Sequence, residues 1–475
     1  MTVLYLIPIW SFKYMPFEDG PNHLLGVNII NNFGNQTFNY DDNFRISFSI
    51  FKPYALYFFI MIFLTKFFSL LIAEKIFLST YIVIFVTSFF LVAKEELKDN
   101  LFISSIVFIF IYNLIMFMGF YPYLISIPIF FFTLAYYQKN QDLKTIKKVT
   151  LLNFLLLLLF FSHVASLAVF LITIFILDFV KHRTIKSIFV LGFKILPVLA
   201  FLLYASLLYS RSNSFEPFYS SISEKLHLFS KYFNYNEILN KHLSLYYFII
   251  FLTIIVLLKT VVKKPSLQDL KFFIVGLVMF IFFLLLPESI NNTAAWVSIR
   301  VLPYFLLLGV LSLKGKINHL FPKLYLFSVF VLSIVIIINC FNFFRKENKV
   351  LDTYLSGIEF VNNNSKILPL NPKTKGWTYH MLLEAWAYYL IKKGGVSPYS
   401  FAHISHYPIE YIHKLDKTYL PNPGEDSLDN INRTMILYYD YVFLTAEDEQ
   451  VENIMNSCPF DKVYKNNILT IWKKR

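Results

Sequence analysis

Between Met1 and Phe344 the chain is written as long apolar runs separated by small groups of lysine and arginine. A soluble fold has too little interior to bury so many runs, whereas a bilayer offers an apolar layer about 30 Å thick that a helix of roughly 20 such residues crosses. In order, the runs are Met1–Pro16, Ile76–Ala93, Leu101–Phe117, Tyr121–Tyr137, Val149–Phe161, Val164–Val180, Ile188–Leu208, Leu243–Leu258, Leu270–Leu286, Ile299–Ser312 and Leu324–Phe344. They predict an all-α polytopic membrane protein with about 11 transmembrane helices. The stretch from Val149 to Val180 is too long for one upright helix and breaks at Ser162-His163, so it reads as two short spans. Composition agrees: 57% of the residues are apolar, 19% are aromatic and 15% are charged, against about 25% charged in a soluble chain.

The charge that remains is unevenly spread. The net charge is +13, but residues 346–475 carry 15 basic and 15 acidic side chains, so the whole excess lies in residues 1–345. Nucleic-acid binding needs a clustered basic face, and these charges come in small separated groups, so they read as orientation signals. Another apolar stretch, Pro53–Ile72, is interrupted by Lys66 and followed by Glu74-Lys75, and it either spans or lies along the surface. If it stays outside, four basic loops share the cytoplasm: Lys139/Lys144/Lys147/Lys148, Lys181/Arg183/Lys186, Lys259/Lys263/Lys264/Lys271 and Lys314/Lys316/Lys323. The N-terminus is then cytoplasmic, 17–75 is a large first outer loop of a transmembrane domain over 1–345, and 346–475 is extracytoplasmic. The odd loop is Lys94–Asn100, cytoplasmic in this scheme yet richer in acids than bases. The first run lacks the basic head and small-residue cleavage pattern of a signal peptide. Cys340 and Cys458 have no spacing that suggests a metal site or disulfide framework.

The tail alternates β-rich runs, Lys366–Leu370, Met435–Thr445 and Ile468–Lys473, with helical stretches such as Thr378–Lys392, which predicts a small α/β domain over 346–475. Gly394-Gly395 marks a turn. His380, Glu384, His403 and His406 invite a zinc reading, but no second half of a known zinc motif is present. Trp377, Tyr379, Trp386 and Tyr388 suit sugar stacking or, more simply, a domain core. Asn35-Gln36-Thr37 and Asn432-Arg433-Thr434 are glycosylation sequons only in a secretory pathway.

The sharpest local signal follows the first run: Phe17-Glu18-Asp19-Gly20-Pro21-Asn22-His23-Leu24-Leu25. Proline just inside a helix start, with Leu24, Val27 and Ile30 continuing the period until Gly34, sets Asp19 at a helix N-terminus just outside the membrane. The helix dipole there favours the ionised carboxylate, and His23 falls one turn along the same face. The plain alternative is that Asp19 is an N-cap and His23 an interfacial residue.

In the order of its parts the chain resembles the integral-membrane glycosyltransferases of the GT-C fold, which take sugars from polyprenyl-phosphate carriers and include protein mannosyltransferases and aminoarabinose transferases. The shared features are a cytoplasmic N-terminus, one span, an acid at the head of a long outer loop with surface helices, about ten further spans and an outer C-terminal domain. The resemblance implies an inverting transferase in which Asp19 is the catalytic base, with Glu18 beside it and His23 a turn away. It also implies a polyprenyl-phosphate-linked sugar as donor and a glycan, lipid or protein as acceptor. One departure is visible: the loop between the third and fourth runs, Met118-Gly119-Phe120-Tyr121-Pro122-Tyr123, lacks the second acid common in the family. Nothing else calls for a cofactor, and a two-carboxylate or divalent-metal scheme loses its support there.

Transfer to a hydroxyl needs a base near the acceptor and cations near a phosphate whose charge grows as the bond to sugar breaks. Arg300, at the outer head of the tenth run, suits the phosphate, and its plain alternative is an arginine reaching for lipid headgroups. His163, at the outer break between two spans, is either a ligand contact or a packed, hydrogen-bonded histidine. Glu288 is an outer carboxylate that could replace the missing acid. Competing classes are a polymerase, ligase or flippase of surface polysaccharide, and a non-enzymatic membrane scaffold.

Overall fold

A computed structural model of the chain describes residues 1–49, 52–141, 143–209, 217–233, 266–290, 294–313, 320–370, 381–404, 407–412, 433–445 and 448–475. The run Leu243–Leu258, the lysines at 259, 263, 264, 314 and 316, the aromatics Trp377 and Tyr379, and His380, His406 and Asn432 lie outside the described residues.

Four described segments are long and apolar enough to cross a bilayer, namely Leu70–Leu97, Asn100–Phe117, Val164–His182 and the long C-proximal helix Phe321–Phe360. Ile185–Lys194 and Leu196–Leu207, bent by 74°, add a fifth if they form one span. The chain is therefore a helical membrane-associated protein. Further apolar helices are shorter: α1 (Thr2–Ser11), α3 (Ala55–Thr65), Lys271–Leu285 and Ser298–Val310.

Several boundaries differ from expectation, each for a local reason. The helix α4 (Leu70–Leu97) begins before Glu74-Lys75, and both charges are buried within it at 1% and 7% exposure instead of ending the apolar stretch. Expected as one helix, Ile188–Leu208 is split into Ile185–Lys194 and Leu196–Tyr209, with Pro197 opening the second piece where its missing N–H costs least. The third run winds tightly as a 3-10 helix over Lys98–Phe110 before a short α5 (Leu114–Phe117). The long helix Leu320–Leu355 passes through residue 345 without a break, so the change of element comes at Ser356-Gly357. The apolar stretch after Pro53 forms the 11-residue α3, shorter than the about 17 residues of an upright crossing.

Helix α6 (Tyr121–Lys139) is the central post. Phe85 and Phe89 of α4 meet Phe131 at 6.3 and 5.2 Å, and Phe130 meets Tyr304 at 4.4 Å. A buried hydroxyl chain, Tyr304 to Ser166 at 2.7 Å and Ser166 to Ser126 at 2.5 Å, ties α6 to α8 (Val164–His182) without leaving a polar group orphaned in an apolar interior. The helix ends sort into two groups. At one, the last turns of α4 and α6 meet the start of Lys271–Leu285, where Lys271 bonds Glu96 at 2.7 Å and Gln138 at 3.4 Å. At the other lie Asp19, the start of α6, the break at His163 and Arg300. Nineteen residues of α6 separate the two groups, roughly 28 Å of helix and close to the thickness of a hydrocarbon core.

The tail carries a four-stranded sheet of order β5-β7-β9-β8: β5 (Ile367–Leu370) runs parallel to β7 (Tyr441–Thr445), and β9 (Leu469–Lys474) pairs antiparallel with β7 and with β8 (Phe460–Lys465). Strand β8 carries Asp461 and Lys462 on an exposed edge, the charged pattern that keeps edges from pairing further and hides strands from hydropathy. Met435-Ile436, expected as strand, begins as a helical turn, Arg433–Ile436. Gly394 and Gly395 have φ of +76° and +90°, the turn only glycine adopts without strain. The tail and the segment after α1 are joined directly: β1 (Phe44–Ile46) pairs antiparallel with β6 (Ile409–Tyr411), and Glu410 bonds Arg45 at 2.6 Å and Lys52 at 2.7 Å.

Candidate functional site

Helix α2 (Gly20–Asn31) starts where Gly20-Pro21 predicts, and Asp19 stands at its cap position. The cap reading fails in one respect: Asp19 has φ −81° and ψ −11°, and its carboxylate makes no capping hydrogen bond. The carboxylate is thus not used up by the helix. Its backbone is held from the other side, since the Glu18 and Asp19 N–H groups donate to Phe117 and Met118 carbonyls at 3.0 Å each. The acid-free turn between the third and fourth runs is therefore the seat of Asp19. Gly119, at φ +74°, lies so close that a β-carbon there would sit 2.6 Å from the Gly20 nitrogen. Burial pushes the Asp19 carboxyl up to about 7, and the positive charge of Arg300 pulls against that rise. Such a group takes and releases a proton near neutrality.

Arg300 follows the hairpin of β3 (Ser289–Ile290) and β4 (Ala294–Ala295) in a tight turn, Ser298–Val301. Its guanidinium lies 4.9 Å over the Phe120 ring and 6.0 Å from the Tyr123 ring, and Nη1 is 3.0 Å from His163 Nε2. Tyr123 donates its hydroxyl to the Arg300 carbonyl. The Nε–H is buried with no hydrogen-bond partner among the described residues. His163 ends α7 (Ile146–Ser162) and caps α8, where its Nδ1 is 3.2 Å from the Ala165 N–H. Tyr54 packs on His163 at 4.6 Å between ring centres, bringing the segment before α3 to the same point.

The remaining expected residues fall around this centre in different ways. Glu18 is 8% exposed. His23 is enclosed by Tyr57, Tyr121, Phe401 and Tyr407 at 5.2–6.1 Å, so it is a buried aromatic-box residue, not an interfacial one. Burial lowers its imidazole to about 3, which keeps it uncharged at neutral pH. Glu288 is 2% exposed, accepts from Ser298 at 2.5 Å and feels the charges of Lys225 and Arg300, while burial pushes its carboxyl up. It backs Arg300 from behind the hairpin. It offers a substrate hydroxyl no open approach.

Sequence reasoning missed the part the tail plays. Glu384, 8% exposed, accepts from Asn22 Nδ2 at 3.0 Å, and Asn22 also donates to the Tyr399 carbonyl at 2.9 Å and accepts from Phe401 N–H at 3.2 Å. Burial and the neighbouring charges of Asp19 and Glu18 push Glu384 well above the carboxylate range. The second acid beside Asp19 thus comes from the tail, over 360 residues away, where no motif could announce it. Its aromatic surroundings were the only signal. Trp386 and Tyr388 are buried at 0% and 5%, which places them in the core and not on a sugar-facing surface. His403 Nδ1 lies 2.8 Å from the Ser400 carbonyl. Among the described residues no three His, Cys, Asp or Glu side chains form a metal-holding group. Cys340 and Cys458 are free and buried.

Compared with known protein families the chain matches no family model, and compared with curated proteins it finds no match.

Proposed function

We propose that the chain is a membrane glycosyltransferase of GT-C type, moving a sugar from a polyprenyl-phosphate donor to a glycan, lipid or protein acceptor on the outer face of the membrane. The observation that carries this reading is the carboxylate of Asp19, poised near neutrality beside an arginine that is anchored by His163 and whose Nε–H has no partner among the described residues. In the reaction, Asp19 takes the proton of the acceptor hydroxyl while that oxygen attacks the sugar carbon. The bond to phosphate breaks with its electron pair on the phosphate oxygen, and inversion follows from attack opposite the leaving group. Arg300 meets the growing phosphate charge, a role in which donors fixed in advance contribute most. His163 orients the guanidinium, and Glu384, held by Asn22, keeps the tail closed against α2.

The same reading gives the topology: N-terminus and basic loops in the cytoplasm, about 11 crossings in all, and 346–475 outside. A polyprenyl donor stays in the bilayer, so its phosphate meets protein at headgroup depth. The test uses liposomes holding the purified protein, supplied with a panel of short-chain polyprenyl-phosphate sugars, with release of polyprenyl phosphate as readout. Wild-type protein should release it from at least one donor and correctly inserted Asp19→Asn should not. Equal turnover by the variant would remove Asp19 from the mechanism.

A further inference from the structure

Glu74 is a buried carboxylate near the site that the proposed reaction leaves idle. It sits one turn into α4, 1% exposed, where an ionisable group is costly and rarely kept for packing alone. Its Oε1 accepts from the Tyr121 hydroxyl, and its Oε2 is buried with no partner among the described residues. Lys75 follows it in the helix, and Tyr57 and Tyr388 are the other titratable groups close enough to feel its charge.

Tyr121 explains why the carboxylate matters. A β-carbon placed on Gly20 would lie 2.8 Å from the Tyr121 hydroxyl, so the phenol sits directly against the residue that follows Asp19. The same ring stacks on His23 at 5.7 Å, one turn along α2, and meets Phe17 edge-on at 6.2 Å on the other side of Asp19. Tyr57 and Phe77 close the far side at 5.5 and 5.7 Å. The turn leading into Tyr121 is the one that accepts the Glu18 and Asp19 N–H groups. One side chain therefore sets the height of the first turn of α2. One carboxylate fixes where its hydroxyl rests.

We propose that Glu74 is a positioning residue that acts through the Tyr121 phenol to hold Asp19 at its working distance from Arg300. The role rests on the transferase reading for its effect on rate but not for its effect on Asp19 itself. A displacement of about 1 Å at a reacting group costs on the order of a hundredfold in rate. Tyr121→Phe keeps the ring and loses the hydroxyl, and Glu74→Ala loses the acceptor. Each should lower kcat about a hundredfold with KM within about twofold, and the pair together should be no worse than either alone, because both break one contact. Glu74→Gln retains an acceptor oxygen and should recover most of what Glu74→Ala loses. Should Glu74→Ala fail to insert, Tyr121→Phe and Glu74→Gln carry the same comparison.

A second readout needs no turnover: carbodiimide labelling of Asp19 in the full-length protein, followed by mass spectrometry across pH. Wild type should lose reactivity around pH 7, and Tyr121→Phe should shift that midpoint down toward the ordinary carboxylate range as water reaches the loosened seat. A shifted midpoint in a protein that transfers no sugar upholds the seat and sinks the transferase. Unchanged midpoint and kcat in Tyr121→Phe, or additive losses in the double variant, overturn the proposal.

Discussion

The two ends of the helix bundle handle charge in opposite ways. At one end Lys271 and Glu96, 8% and 6% exposed, bond at 2.7 Å, with Gln138 as a further acceptor. At the other, Arg300 Nη1 lies 3.0 Å from the His163 imidazole nitrogen, its Nε–H has no partner among the described residues, and it exerts its charge on Asp19 without an ion pair between them. A buried pair that is satisfied is an anchor, since breaking it leaves a lone charge in an apolar place. An incomplete arrangement is poor anchoring and good preparation for a ligand that completes it. Similar residue types, roughly 28 Å apart along α6, thus serve different ends.

The largest effect expected is on activity at the unpaired end. Asp19→Asn should cost about a hundredfold to ten-thousandfold in sugar transfer while inserting normally, measured in membranes with protein amount matched by immunoblot. Next comes stability at the paired end, where Lys271→Met removes the cation bonded to Glu96 and should cost about 3–5 kcal/mol, read as a lowered melting temperature in detergent. Adding Glu96→Gln should restore much of it. If Arg300→Met melted as low as Lys271→Met, the contrast between anchor and site would collapse.

A smaller effect is expected from Arg300→Lys, which keeps the charge and loses the fork, raising KM for the donor by about tenfold with kcat less affected. The pH profile follows from Asp19. The base is its ionised form, so kcat/KM should climb with pH and level off above about 7. Since Arg300 holds the carboxyl down, Arg300→Gln should move the midpoint to higher pH. A midpoint that stayed put would mean that another group titrates.

The smallest prediction concerns stability and pH together. The folded protein holds the Asp19 proton up to about 7 against an ordinary 3.8, so the carboxyl favours folding most at low pH and loses that contribution as pH rises through the interval. Asp19→Asn removes the titration. It should therefore melt slightly higher than wild type at pH 8, with the gain shrinking toward pH 4. Loss of activity with gain of stability in one substitution is the signature of a group kept for chemistry.

What could be read from the chain was what short-range rules govern. Proline at position 21 announced the start of α2, and Ser162-His163 announced the break before α8. Gly394-Gly395 announced its turn. What escaped depended on distant partners. Glu74-Lys75 looked like a stop because hydropathy cannot see the Tyr121 hydroxyl waiting in another helix. Glu384 looked like half of a metal site because its partner, Asn22, lies at the other end of the chain. The edge strand β8 was too charged to show, and the bend after Lys194 fell inside an unbroken apolar run.

The pairing of β1 with β6 sets a timetable for biosynthesis. Arg45 and Glu410 are 365 residues apart, an interval that a ribosome adding about 5–20 residues per second takes roughly 20 to 70 s to make. Throughout that time the segment from α2 to α3 has been made but lacks the strand that pairs with β1, and Asn22, Asn28 and Tyr40 lack the acceptors at Glu384, Ile391 and Leu390 that later hold them. An unpaired edge beside exposed phenylalanines is a point of misassociation for a nascent chain. Nascent chains halted before residue 409 should thus be open to protease between α2 and α3, and become resistant once β6 has been made.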